Sequence, residues 1–291
     1  MTNKSDSVLR RSLHKFALLP PDVKRFIRPL TPKRVRNWYV TAASDAYLLS
    51  FPKCGRTWFR LMLGKAMQSH FKLDASVDLL DVAFFASLDS RVPRVHISHD
   101  EGPQKKRPDQ LETDKSKYRG TNVVLLVRDP RDVLVSNFFQ ETKREGSTHK
   151  DMSSYLRSDV GSIDTLLAWY NTWAENKDLP SQFSLLRYEN LHKDAHSELR
   201  STLAVLGMPD VDDDVIDEAV QYASFKNMRK LEEKESFQSD KMRAGDKNDQ
   251  ESFKTRKGKV GGFTDYLSKA DIDFVEQKIQ SQLSDYYSFY K

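Results

Sequence analysis

A single cysteine, Cys54, excludes an intrachain disulfide and fits a reducing compartment, with the cytoplasm as the expected location. No apolar run approaches the roughly 18–20 residues of a membrane span, so no transmembrane segment is expected. The opening "MTNKSDSVLRRSLHKF" is basic and lacks the continuous apolar stretch of a secretory signal. Glycine is sparse, and the phosphate loop G-x-x-x-x-G-K-[ST] is missing. No internal repeat is visible, and no cluster has convincing metal-ligand spacing, so no metal is expected.

What is present is an ordinary globular composition, with 31% charged and 11% aromatic residues. At 291 residues the chain can bury a full α/β core. The net charge of +5 is uneven: residues 1–40 hold ten Lys or Arg against two acids, leaving the remainder slightly acidic. Those forty residues read as a basic N-terminal arm or helical extension. They suit peripheral contact with an anionic membrane surface, while nucleic acid is not an expected partner. Residues 41–291 read as a single domain.

Four strand-like runs stand out: "AYLLSF" (46–51), "RVHIS" (94–98), "NVVLLV" (122–127) and "FSLLR" (183–187). "VVLLV" is apolar without alternation, as in a parallel-sheet strand covered on both faces. Helix-like spacing follows at 57–69, 131–140 and 194–206, so β-α-β units around a central parallel sheet are expected. Lys53, His99, Arg128 and Tyr188 stand just beyond the four strands. Ligands of open parallel sheets bind beyond the carboxyl ends of the strands. Two cations, a candidate base and a phenol delivered to one edge point to a charged, base-stacking ligand, hence a nucleotide. The turn "PKCGR" between the first strand and its helix suits an anion, because helix N-terminal amides and a lysine converge there.

Together "SFPKCGRTW", "VRDPRDVLVSNFF", "LLRYENL" and "TRKGKVGGF" resemble, in order and spacing, the cofactor signatures of cytosolic-type sulfotransferases over residues 45–265. That family transfers a sulfuryl group from 3′-phosphoadenosine 5′-phosphosulfate (PAPS) to a hydroxyl or amine acceptor on a P-loop-NTPase-like fold. The resemblance implies that Lys53, Cys54, Gly55, Arg56 and Thr57 wrap the 5′-phosphosulfate and that Trp58 packs on the adenine. It implies that Arg128, Ser136, Arg256, Lys257 and Gly258 grip the 3′-phosphate, and that Tyr188, Ser224 and Phe225 lie beside the base. It also gives His99 as general base, Lys53 at the bridging oxygen, and Ser136 holding the Lys53 ammonium back until an acceptor arrives. His96 competes for the role of base, because it alternates with Ser98 along the strand. Family members commonly carry Ser and Thr where Cys54 and Arg56 stand, a threonine at Ala223 and a lysine at Ile97.

The polar segment at about 232–257 reads as a mobile lid ending on Arg256-Lys257-Gly258, or as a linker. A small molecule, a lipid or a glycan all remain open as acceptor. The alternatives are a nucleotide-dependent kinase, which would need Ser or Thr at Cys54, and a basic nucleic-acid or membrane-surface binding protein led by residues 1–40.

Overall fold

The four apolar runs form parallel strands: β1 (Ala46–Ser50), β2 (Val95–Ser98), β3 (Asn122–Val127) and β4 (Gln182–Arg187). The computed structural model describes residues 44–146, 149, 151–234 and 249–291. Strand order is β2-β1-β3-β4, with Leu48 opposite Ile97 on one side and Val124 on the other. β1 is buried along its whole length and β3 over all but its first residue, which explains their unbroken apolar runs.

Eight helices of six or more residues matter here. They are α1 (Arg56–His70), α2 (Pro130–Arg144), α3 (Ile163–Glu175), α4 (Tyr188–Lys193), α5 (Ala195–Val205), α6 (Asp213–Tyr222), α7 (Phe225–Glu233) and α8 (Lys269–Gln282). The chain leaves β1 towards β2 and leaves β3 towards β4, in opposite directions across the sheet. Right-handed crossovers in opposite directions place α1 on one face and α2 with α3 on the other. α6 packs on α1, and α8 packs on α3. The gap between the ends of β1 and β3 is therefore a topological switch point, where doubly wound sheets bind ligands.

Local chemistry starts the helices where expected. Asp129 caps α2 by accepting from the Arg131 amide, with Pro130 in the first turn. Trp169, Tyr170 and Trp173 of α3 are buried in the core. Tyr170 does more than pack. Its hydroxyl donates to the Arg128 carbonyl at 2.7 Å, accepts from the Arg128 amide at 3.0 Å and lies 3.5 Å from Cys54 Sγ. One phenol thus pins together the loops that leave β1 and β3.

The expected basic arm at 1–40 lies outside the described residues, as do residues 235–248 of the expected lid. Both flanks of that lid are packed. Glu232, buried at the end of α7, accepts from the Thr255 amide at 2.9 Å and also from its hydroxyl. A buried carboxylate that satisfies backbone amides ties the far flank of this polar segment to the fold.

Beyond β2 the chain turns sharply, with Asp100 (φ 48°), Glu101 (φ 74°) and Gly102 (φ 67°) all left-handed. Asp100 is buried and ion-paired with buried Lys115 at 2.6 Å, and Tyr118 donates to it at 2.6 Å. Removing one partner of such a pair strands the other charge. Asp100→Ala is accordingly expected to cost about 3–5 kcal/mol of folding stability in urea titration. A loss below about 1 kcal/mol would show that the pair does not hold this turn.

Candidate active site

Of the residues that the family resemblance assigns to cofactor binding or catalysis, all but Cys54 and Ser224 line one cavity of about 1010 Å³ at the carboxyl ends of the strands. Its floor is the loop after β1. Lys53 there is left-handed (φ 71°), and so is Gly55 (φ 94°), which caps α1. A Cβ on Gly55 would come within 2.4 Å of the Tyr188 ring, so the loop can pass under Tyr188 only with glycine at this position. No side chain caps α1, and its first turn carries no acid. Its amides are therefore free to meet an anion.

Cys54 is buried beneath the loop, and burial pushes its thiol up to about 12, so it stays protonated. Its backbone alone can serve a ligand. Ser224 caps α7 as an exposed residue beside the cavity wall.

Cations dominate the cavity. Arg128 pairs with Asp132 at 3.2 Å, donates to the carbonyls of Lys53 (3.4 Å) and Lys259 (3.1 Å), and lies 4.2 Å from the centre of the Tyr188 ring. Asp132 also accepts from the amides of Gly261 and Phe263, which fastens the late glycine-rich segment against Arg128. Arg256 pairs with Glu251 at 2.9 Å, and Lys257 with Asp265 at 3.2 Å. Lys53, Arg56 and Lys254 have no carboxylate within ion-pair distance among the described residues. Burial, followed by the charges of Lys254, Arg144, Arg256 and Arg128, holds the Lys53 ammonium well below the usual lysine range. Burial, then Arg144 and Arg56, brings Lys254 down to about 8.

Lys53 Nζ donates to Gln140 Oε1 at 2.9 Å. The tether that the family resemblance gives to Ser136 is thus made here by Gln140, one turn further along α2, while Ser136 lines the cavity nearby. The longer amide side chain supplies the reach.

One wall is aromatic. Trp58 and Tyr188 meet edge-to-face with centroids 5.6 Å apart, and His192 lies 4.8 Å from Trp58. The Trp58 indole donates to the Ala223 carbonyl at 2.9 Å. Phe225 stays 47% exposed while lining the cavity, with Gly258 (φ 58°) close against its ring. An apolar ring held open at a cavity wall is suited to stacking on a base.

His99 lies at the end of β2, on the cavity. Its Nδ1 is 2.9 Å from the Ser50 carbonyl, which can only accept, so Nδ1 carries the proton and Nε2 keeps its lone pair. Burial first, then the Arg56 charge, brings its pKa down to about 3 despite the Ser50 bond. His96 does not line the cavity; it packs edge-on against Tyr47 at 5.6 Å. Between the two histidines, only His99 faces the site.

Sequence reading missed Gln140, Lys254 and Arg60, all cavity residues. Gln140 follows Ser136 by one helical turn, a spacing that could have found it. For Lys254 and Arg60 the sequence offers no distinguishing pattern.

Comparisons with known proteins agree with this geometry. The sulfotransferase domain matches residues 43–287, and the chain belongs to that family. It is a transferase of sulfuryl groups. Cytosolic sulfotransferase 15 of Arabidopsis thaliana is 24% identical over 82% of this chain and 72% of its own length. Sulfotransferase 2A1 of Rattus norvegicus is 28% identical over 68% and 72% respectively. Among solved structures, mouse sulfotransferase SULT7A1 complexed with PAP superimposes with a TM-score of 0.57 at 21% identity, covering 85% of this chain and 88% of that one. Retinol dehydratase, in complex with androsterone and inactive cofactor PAP, gives 0.54 at 16% identity, covering 84% and 81%. These neighbours share the sulfotransferase fold, a P-loop-like arrangement around a parallel sheet.

The depressed His99 pKa has a direct consequence. Below about pH 6.5 the unfolded chain takes up a proton at this histidine, whereas the folded chain takes it up only near pH 3. His99 therefore weakens the fold as pH falls through that window. Histidine-selective NMR should find one imidazole, lost in His99→Gln, that stays neutral from pH 8 down to 5. A His99 ring titrating near 6.5 would contradict its burial beside Arg56.

Proposed function

We propose that this sulfotransferase takes its sulfuryl group from PAPS and passes it in line to a hydroxyl or amine of a small-molecule acceptor. The single observation that carries the reading is a cavity at the switch point with half-buried, uncompensated cations at one end and an aromatic wall at the other. It fits a nucleotide with phosphate on both sides of its ribose. Lys53, Gly55, Thr57 and the backbones of Cys54 and Arg56 would hold the 5′ side. Arg128, Ser136, Arg256, Lys257 and Gly258 would hold the 3′-phosphate, and Trp58, Tyr188, Ser224 and Phe225 the adenine. The PAP complexes of the fold neighbours favour the same nucleotide.

In that arrangement His99 Nε2 accepts the proton of the acceptor as its oxygen or nitrogen bonds to sulfur. A positioned base of this kind is worth about 10²–10⁴ in rate. Lys53 meets the negative charge that grows on the bridging oxygen as the old S–O bond breaks, a preorganised contribution of about 3 kcal/mol. Gln140 holds that ammonium in place meanwhile. Because burial and neighbouring cations weaken its hold on its own proton, the lysine gains from each anionic group placed beside it.

The cytoplasm is the proposed location. It is supported by the single cysteine, by the cytosolic relatives and by the absence, among the described residues, of a helix long and apolar enough to cross a membrane. Residues 41–291 are proposed to act as one domain, with peripheral membrane contact through the basic segment before it.

Calorimetry and turnover test the reading together. A charged hydrogen bond is worth about 1.5–3 kcal/mol, so 5′-AMP should bind roughly 10–150-fold more weakly than adenosine 3′,5′-bisphosphate. His99→Ala should lower turnover at least about a hundredfold with nucleotide affinity nearly unchanged, and His96→Ala far less. Equal affinity for the two nucleotides would remove the basis of the proposal.

A further inference from the structure

The nucleotide leaves part of the cavity's charge unused. Going by strand order, Arg128 and Tyr188 stand on the β3–β4 side of Lys53, whereas His99 ends β2 on the opposite side. α1 divides the same way. Trp58 joins Tyr188, His192 and the Ala223 carbonyl on the aromatic wall. Arg56 and Arg60, one turn apart and so on one helix face, lie about 200° and 160° round the helix from Trp58. Both line the cavity, as does Lys254.

These three cations are poorly compensated. Arg56 makes no hydrogen bond or ion pair among the described residues, and its neighbour Arg60 adds to the burial that brings it down to about 9. Arg60 is only 9% exposed, and its Nε has no partner. The carboxylate nearest to Arg60, Asp81, is 4.0 Å away, with its side chain 61% exposed. Lys254 is drawn towards Glu232 and Glu145, but Arg144 and Arg56 outweigh them. Arg56 also acts on the His99 ring more strongly than Lys254 or Lys53 does, which locates this charge at the reacting end. A guanidinium drawn out of water with no carboxylate in hydrogen-bond reach is costly unless an anion completes it.

We infer that the cavity on the His99 side is an anion subsite for the acceptor. Arg56, Arg60 and Lys254 seat an oxyanion of the acceptor, a carboxylate, sulfate or phosphate, while its nucleophilic hydroxyl or amine lies at His99. This rests on the sulfuryl-transfer reading and narrows it, because neutral phenols and sterols leave these cations unpaired. Gln104, whose Oε1 is buried without a partner at the same cavity, is placed to accept from a further hydroxyl of a polar acceptor.

The test is a binding experiment, so it does not depend on turnover. Full-length protein saturated with adenosine 3′,5′-bisphosphate is titrated with 4-hydroxyphenylacetate, 4-hydroxyphenylpropanoate and 4-hydroxyphenylbutanoate, each against its neutral amide. At least one acid should bind about tenfold or more tightly than its amide. Arg60→Gln, and separately Arg56→Thr, should bring that pair close to parity, with nucleotide affinity measured alongside as the check on folding. Parity in every pair for the unaltered protein overturns the inference. So does an acid preference that survives both substitutions while nucleotide affinity falls, since the cations would then serve the donor. Failure of the nucleotide itself to bind counts against the proposed donor, and the acid–amide comparison is then made on the protein alone.

Discussion

Like charge gathered out of water, and kept there without enough carboxylates to balance it, is the constraint on which this molecule turns. Lys53, Arg56 and Lys254 face one cavity with no acid at ion-pair distance among the described residues. In a dielectric lower than water such neighbours repel strongly, and the repulsion is tolerated only because the surrounding framework is stiff. Tyr170 ties the β1 loop to the β3 loop. Asp132 joins α2 to the late glycine-rich segment, and Glu232 anchors residues 254 and 255. Asp132 and Glu232 hold backbone in place, and Lys53, Arg56 and Lys254 stay available to a ligand.

His99 illustrates how the same field sets chemistry. A histidine at a strand end would ordinarily titrate near neutrality, where its usefulness as a base depends on pH. Burial and Arg56 suppress its protonation, and the Ser50 carbonyl fixes which nitrogen holds the remaining hydrogen. The buried Asp100–Lys115 pair closes the left-handed turn that follows. An anionic donor and acceptor would soften the local field, so the base is strengthened when substrates are present.

Much of this was legible in the sequence because short motifs encode backbone. The unbroken apolar run at 122–127 reads as a parallel strand covered on both faces, and the ends of that run and of the strand-like 46–51 named Arg128 and Lys53. Motif spacing brought Gly55, Tyr188 and Gly258 into the account, and two of these approaches prove close enough to demand glycine. Side-chain reach was not legible. Gln140 in place of Ser136 as the tether of Lys53 depends on the length of one amide. Lys254 and Arg60 are ordinary basic residues until the fold buries them. The packed flanks of the 232–257 segment depend on Glu232, an acid whose burial no local pattern announces.

The central claim is that deprotonation-prone cations await an anionic ligand, and proton uptake on binding measures this most directly. Lys254, at about 8, should regain a proton when phosphate oxygens beside Lys53 offset the neighbouring cations, and the downward shift of Lys53 works in the same direction. Calorimetric titration of adenosine 3′,5′-bisphosphate at pH 8, repeated in buffers of different ionisation enthalpy, gives that number. The account predicts net uptake that diminishes at pH 6, where Lys254 is already charged, and that is reduced in Lys254→Met. Binding with no proton uptake at pH 8, or with net release, would contradict it.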